Sequence, residues 1–161
     1  MAAYTERPDD EANQGDIFAD VPFTVSPLEG VAAYGMIVSH DCDCDKFLKP
    51  KTPIPDEQVG VWPITMAPVH PIEFLTGGRQ KAVREHQMPR YFHLPADDEM
   101  PELVADLWLE QPVPISVVVG CERVGSLSDE WRRQLWSQII RLRTGLDLRT
   151  LAAMYSQEGP A

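Results

Sequence analysis

Residues 34–46 read Tyr-Gly-Met-Ile-Val-Ser-His-Asp-Cys-Asp-Cys-Asp-Lys, an apolar run that passes directly into alternating thiols and carboxylates. The apolar part predicts a buried β-strand. If the strand continues through residue 44, its period of two places His40, Cys42 and Cys44 on one face and three aspartates on the other. The stretch therefore predicts both a strand of the fold and a group of candidate metal ligands at its end.

The rest of the chain favours short strands over helices. It has fifteen prolines among 161 residues, nearly twice the usual share of ~5%, and proline is excluded from helix interiors. Alternating apolar residues and turn residues predict further strands at 16–18, 23–25, 90–94, 103–109 and 113–119. A short polar helix is predicted over 79–86, and an exposed loop over 46–57. The middle of the chain is thus expected to be β-rich.

One long helix is predicted near the end of the sequence, from Ser126 or Ser128 to Thr144. Serine is a favoured N-cap, and Gly145 is suited to end the helix. Helical spacing predicts an apolar stripe that faces the core, formed by Trp131, Leu135, Ile139 and Leu142. A shorter helix is predicted over 148–155. The sequence thus predicts a mainly β (α+β) fold, with a flexible acidic arm at 1–13, one globular domain at 14–156 and a frayed tail at 157–161.

The charge of the chain limits its partners. The formal net charge is −11, and the acidic residues are concentrated in the first sixty positions. A nucleic-acid surface needs clustered Lys and Arg, so we expect neither nucleic-acid binding nor a membrane partner. The long helix offers arginines able to hold an acidic protein partner, namely Arg132, Arg133, Arg141 and Arg143. A solvated helix face is the commoner explanation of such residues.

The compartment is predicted from the cysteines and from the first residues. Three cysteines do not make a disulfide framework. The first sixteen residues are polar and acidic, without the basic start and apolar stretch of a signal peptide. No run approaches the ~18 apolar residues of a membrane span. These features predict a cytoplasmic protein.

Zinc is the metal that suits His40, Cys42 and Cys44, with Cys121 or His93 as the fourth ligand. Structural zinc sites usually separate paired cysteines by two or more residues, whereas here one residue intervenes. Buried packing of the cysteines is therefore favoured, and no cofactor is expected, with zinc as the alternative. The chain has no phosphate-binding loop, nucleophile elbow or dinucleotide fingerprint, so no catalytic residue is assigned.

Two segments together resemble a known family. Gly15-Asp16-Ile17, followed by Met36-Ile37-Val38-Ser39, is similar to the opening of the MazF/PemK plasmid-maintenance toxins. The resemblance implies a small SH3-like barrel. Tyr34-Gly35 stands where that family carries Arg-Pro, so the arginine that serves RNA cleavage there has no counterpart here. The Ser39-His40-Asp41-Cys42-Asp43 strand end also resembles uncharacterised bacterial and phage proteins with a Ser-x-x-Cys-Asp element, for which no activity is implied.

These observations lead to one functional expectation and its alternatives. The sequence predicts a non-catalytic cytoplasmic interaction module, encoded by a phage or mobile element, that binds or inhibits a host or cellular protein. The alternatives are a divergent MazF/PemK-like nuclease and a small zinc or thiol site. A monomer and a homodimer are both left open.

Overall fold

The computed structural model describes residues 2–6, 12–24, 34–40 and 63–145. These residues form one antiparallel sheet of seven strands: β1 (Asp16–Ala19), β2 (Tyr34–Ile37), β3 (Pro63–Pro71), β4 (Tyr91–Leu94), β5 (Leu103–Asp106), β6 (Gln111–Pro114) and β7 (Arg123–Ser126). They also form three helices, α1 (Gly77–Arg84), α2 (Ile115–Val119) and α3 (Asp129–Thr144), and 3-10 turns at Ile72–Phe74 and Leu107–Leu109. The predicted α+β class, with antiparallel sheet predominant, is confirmed.

The sheet is curled and has β3 near its centre. The strand order is β4, β5, β3, β2, β1, β7, and β6 pairs with β3 on the same edge as β5. Within the part of the chain that is described, β4 and β7 are the outer strands. No helix there combines the length and the apolar character that crossing a membrane requires.

Strand β3 is the longest strand although it contains three prolines. The Thr65 carbonyl accepts the Val38 N–H at 2.9 Å, so the main chain of every second residue from Thr65 faces β2. Pro68 therefore faces the other edge, at the gap between the β6 pairing, which ends at Met66, and the β5 pairing, which begins at Val69. No ladder hydrogen bond is lost at Pro68, and this is why the strand tolerates it.

An apolar cluster covers each face of the sheet. Successive side chains of a strand point to opposite faces, so neighbouring residues belong to different clusters. Ile17 lies in the larger apolar cluster, on the face that α3 covers, and Phe18 lies in the cluster on the opposite face. The predicted helix stripe is confirmed: Leu135 and Ile139 are buried in the larger cluster, and Trp131 and Leu142 pack against its edge. The short polar helix predicted over 79–86 corresponds to α1, whose buried residue is Val83.

Helix α3 begins and ends as its sequence predicts. Ser128 is the N-cap residue, and Gly145 ends the helix with a left-handed φ of 69°. The Ser128 hydroxyl donates to the Ala2 carbonyl at 3.0 Å instead of capping the helix. Residues 2–6, within the segment 1–13 predicted to be a flexible arm, lie beside β7. Tyr4 pairs with Leu127, and its hydroxyl donates to the Pro95 carbonyl at 2.8 Å.

Three predicted strands differ from the structure. Residues 115–119 are helix α2, since helical spacing buries Ile115 and Val118 together while leaving Val119 67% exposed. Packing on the sheet thus overrides the strand propensity of valine. Residues 107–109 form a 3-10 turn after β5, and residues 23 and 24 are outside any strand. Three further predictions fall outside the described residues, namely the helix at 148–155, the tail at 157–161 and the loop at 46–57.

Candidate binding site

A cleft of about 500 Å³ lies where α1, the end of α3 and the second 3-10 turn meet. Three arginines line it, together with apolar side chains and one tryptophan, among them Arg79, Arg90, Arg141, Met88, Leu142 and Trp108. We call it the arginine cleft. Its volume is within the ~300–1,000 Å³ of typical ligand pockets. It is open to solvent, and its lining residues are spread over the sequence from Arg79 to Leu142.

Arg90 forms the rigid wall of the cleft. Its Nε and Nη2 atoms donate to the two carboxylate oxygens of Asp106 at 2.9 and 2.6 Å. Its guanidinium also lies 4.8 Å from the centre of the Tyr91 ring and 4.9 Å from that of Trp108. The hydrogen bonds that Arg90 donates to Asp106 raise the pKa of the guanidinium. Arg90 is thus held as a fixed cation between two aromatic rings.

Trp108 is the exposed apolar group of the cleft. Asp106 accepts the Trp108 backbone N–H at 3.1 Å and so caps the 3-10 turn that carries the indole. The tryptophan is 64% exposed, whereas tryptophan is usually among the most buried residues of a soluble protein. Trp108 is exposed because it lies in the 3-10 turn after β5, outside the apolar clusters of the core.

The other two arginines of the cleft, Arg79 and Arg141, are not paired with a carboxylate in the part of the chain that the structure describes. Arg141 Nη1 donates to the His86 carbonyl at 3.3 Å. The formal net charge of the whole chain is −11. The arginine cleft is therefore a local positive patch on an acidic protein, which favours an anionic group.

Gln138 of α3 fixes the loop that forms the floor of the cleft. The buried side chain donates through Nε2 to the carbonyls of Tyr91 at 2.8 Å, Pro89 at 3.1 Å and Met88 at 3.4 Å. Sequence reasoning missed this residue. The available signal was an uncharged polar side chain between Leu135 and Ile139, inside the apolar stripe, where burial requires hydrogen-bond partners.

The four arginines predicted to bind a partner do not form one surface. Arg132 and Arg141 are nine residues apart and so lie on opposite sides of α3. Arg132 is near Asp129, at 3.5 Å, and Arg143 donates to both carboxylate oxygens of Glu110 at 2.8 and 2.9 Å. Arg133 is exposed. Arg141 is the member of the set that lines the arginine cleft.

The predicted zinc ligands are only partly within the described structure. The His40 ring lies 5.6 Å from that of Trp136, and Cys42 and Cys44 lie outside the described residues. Of the proposed fourth ligands, Cys121 donates through Sγ to the Val117 carbonyl at 3.2 Å and His93 Nε2 is 2.8 Å from Glu102 Oε1. Among the described residues, no three His, Cys, Asp or Glu side chains are grouped to hold a metal ion.

A cluster of three polar side chains, Arg84, His93 and Glu102, lies at the end of α1. Arg84 donates through Nε and Nη2 to the two carboxylate oxygens of Glu102, both at 2.7 Å, and His93 is bonded to the same carboxylate. The hydrogen bonds from Arg84 and His93 lower the pKa of Glu102 to about 2. Glu102 is therefore ionised across the whole neutral and mildly acidic range.

Glu102 makes the stability of the protein depend on acid pH. Its carboxylate has a higher pKa in the unfolded chain, near 4.3, so its stabilisation is complete above that pH and is lost as pH falls towards about 2. We expect a loss on the order of 1 kcal/mol, because the side chain is 26% exposed and solvent screens the pair. Urea unfolding between pH 5 and pH 2.5 measures it. Arg84→Met is expected to weaken this pH dependence, and an identical dependence in Glu102→Gln would contradict the assignment.

The arginine cleft has the chemistry of binding. Among the described residues that line it, none is a histidine, a carboxylate, a serine or a cysteine. Burial raises the pKa of the Tyr91 hydroxyl, so this group stays protonated at neutral pH. The groups present thus suit an anion and an apolar side chain, and they include no nucleophile.

Neither a scan of protein-family models nor a search of curated proteins finds a match to this chain.

Proposed function

We propose that this protein is a non-catalytic interaction module that binds another protein through the arginine cleft. The partner is a cellular protein, such as a host protein that a phage or mobile element would inhibit, and the setting is the cytoplasm. The observation that carries the proposal is the exposed Trp108 ring stacked on an immobilised Arg90, next to Arg79 and Arg141. The partner segment is expected to be acidic and to carry an apolar side chain.

The composition of the arginine cleft supports a protein partner. Tryptophan, tyrosine and arginine are the residues that most often dominate binding energy at protein interfaces. Arg90 is already ordered by Asp106 and two rings, so binding does not have to restrict it. Charge complementarity with two further arginines would orient an acidic segment.

The finer fold proposal is that the curled sheet belongs to an SH3-like barrel. It is supported by the pairing of β1 with β2, the two segments that resemble the MazF/PemK opening, in which Ile17 lies opposite Met36. The cleft and its arginines come from other parts of the chain, so the binding proposal does not depend on this resemblance. An experimental structure of the full chain with an open sheet between β4 and β7 would contradict the barrel.

Affinity capture with matched variants tests the proposed function. Tagged wild-type protein, Trp108→Ala, Arg141→Glu and Trp136→Ala are purified from the same cells, and co-purifying proteins are quantified. Trp136 is the control because it is also an exposed tryptophan, 39% accessible, but does not line the cleft. A true partner is expected to co-purify with the wild type and with Trp136→Ala. Its amount is expected to fall at least about tenfold with the two cleft variants, as for an interface hot spot.

The purified partner then decides between the proposal and its alternatives. Replacing the acidic residues of its binding segment by amides is expected to remove binding. A partner held equally by all four forms would place the interface outside the arginine cleft. Single-stranded RNA incubated with the protein is expected to stay intact, and specific fragments would favour the nuclease alternative.

A further inference from the structure

The two outer arginines of the arginine cleft, Arg79 and Arg141, suit an anion that carries more than one charge. Both side chains are exposed, and an exposed guanidinium paired with a single carboxylate contributes little to binding. Neither forms an ion pair with another described residue. The first turn of α1, which carries Arg79, contains no acidic residue. Two guanidinium groups in one cleft are therefore available to the same ligand.

The charge around the cleft favours a compact anion over a long acidic one. Among the described residues that line the cleft, none is acidic, whereas the whole chain has a formal net charge of −11. Charges interact strongly only within a Debye length of ~8 Å at physiological salt. Negative charge on a partner is thus favourable where it meets the arginines and unfavourable over the rest of the surface. A ligand gains most if its charge is concentrated inside the cleft.

A phosphomonoester is the protein modification with this property. It carries a charge of about −1.5 to −2 at pH 7 and presents three acceptor oxygens. It accepts paired hydrogen bonds from guanidinium groups, and two arginines satisfy its oxygens better than one. Arginine clusters are the usual means by which proteins recognise phosphorylated side chains. Arg79 and Arg141 therefore match a phosphate group more closely than a carboxylate.

The apolar wall of the cleft selects the side chain that carries the phosphate. Met88, Pro89 and Leu142 line the cleft together with Trp108. The Trp108 ring is 64% exposed, although the Arg90 guanidinium lies 4.9 Å from its centre. An incoming aromatic ring would pack against this indole in an offset or edge-to-face arrangement. Among phosphorylated serine, threonine and tyrosine, only tyrosine supplies both a ring and the anion.

We infer that the arginine cleft recognises a phosphorylated tyrosine side chain of the partner protein, with the phosphate between Arg79 and Arg141 and the ring against Trp108. The inference rests on the proposed function and adds the chemical class of the group that is bound. The phosphate is bound and not hydrolysed, because the described residues that line the cleft include no histidine, carboxylate, serine or cysteine.

Three small probes test the inference on the purified protein by NMR titration. They are phenyl phosphate, phenylacetate, which has a similar ring and a carboxylate, and phosphoserine, which has the phosphate without a ring. We expect phenyl phosphate to shift the indole N–H of Trp108 and the Nε–H signals of Arg79 and Arg141. The other two probes are expected to bind at least about tenfold more weakly, the size of one hydrogen bond to a charged group.

Matched variants assign the binding to the cleft. Arg79→Gln and Arg141→Gln are each expected to remove the preference for phenyl phosphate over phenylacetate, and Trp108→Ala to remove the preference over phosphoserine. Arg143→Gln is the control, because Arg143 is an exposed arginine of the same helix that binds Glu110 and does not line the cleft. It is expected to behave as the wild type. All four positions are exposed, so the variants are expected to fold, which circular dichroism checks.

Several results with the probes would overturn the inference. These are the absence of shifts with phenyl phosphate, equal affinity for phenyl phosphate and phenylacetate, and an undiminished preference in Arg79→Gln and Arg141→Gln. Phosphoserine bound as tightly as phenyl phosphate would overturn the assignment to tyrosine. A single-stranded oligonucleotide bound more tightly than phenyl phosphate would replace the phosphorylated protein by a nucleic acid.

The captured partner separates this inference from the proposed function. Treatment of the partner with a tyrosine phosphatase is expected to release it from the wild-type protein. A partner that stays bound after this treatment, but is lost with Trp108→Ala and Arg141→Glu, would overturn the phosphotyrosine inference and leave the cleft as a protein-binding site. A partner held equally by the wild type and both cleft variants would overturn the proposed function itself.

Discussion

Replacing Leu135 by alanine is expected to lower the free energy of unfolding by about 2–5 kcal/mol, as for other fully buried leucines. Leu135 has no exposed surface and lies in the larger apolar cluster, between α3 and the sheet. The loss arises from the smaller buried apolar area and from the cavity that remains. Urea unfolding followed by tryptophan fluorescence measures it.

The matched control for Leu135→Ala is Arg133→Ala, an exposed position two residues away on the same helix. That substitution is expected to change the free energy of unfolding by no more than about 0.5 kcal/mol, as is usual at the surface. Equal unfolding midpoints for the two variants would contradict the packing of α3 on the sheet.

The second large effect is expected for Asp106→Ala, which removes the carboxylate that holds Arg90. The Asp106 side chain is 1% exposed and Arg90 is 31% exposed. Breaking a fully buried pair costs about 3–5 kcal/mol, so we expect about 2–4 kcal/mol here, because water reaches Arg90. The variant also loses the cap of the turn that carries Trp108. Increased mobility of the indole should therefore accompany the loss of stability.

Glu110→Ala is the control for Asp106→Ala, since it removes a carboxylate that also binds an arginine, Arg143, but in a more exposed pair. Exposed pairs contribute at most about 1 kcal/mol. Urea unfolding measures stability, and time-resolved fluorescence anisotropy, in a background where Trp108 is the only tryptophan, measures its mobility. Similar stabilities for the two variants, or an unchanged Trp108 anisotropy in Asp106→Ala, would contradict the structural role of the Arg90 pair.

Elements with a clear internal pattern could be predicted from the sequence. Helix α3 has a serine before it, a glycine after it and an apolar residue at every third or fourth position, and all three signals agree. Strand β2 was likewise predicted from its apolar run. These signals are local, because capping and one-sided burial depend on residues within a few positions of each other.

Other elements depend on what packs against them. The valines of α2 favour a strand by propensity, yet they form a helix because this places Ile115 and Val118 together in the core. Proline has no N–H for a strand ladder, yet β3 is continuous because its partners β5 and β6 leave a gap opposite Pro68. Neither partner arrangement is visible in the sequence around these residues.

The candidate site shows the same division. The sequence by itself determined that α3 presents arginines to solvent and buries an apolar stripe, and Arg141 was among the predicted binding residues. Only the tertiary structure decided that Arg141 meets Arg79, Arg90 and Trp108 in one cleft. The physical reason is range: periodicity and capping act along one element, whereas the cleft depends on contacts between α1, α3 and the turn after β5, and on the buried Gln138 that fixes the loop between them.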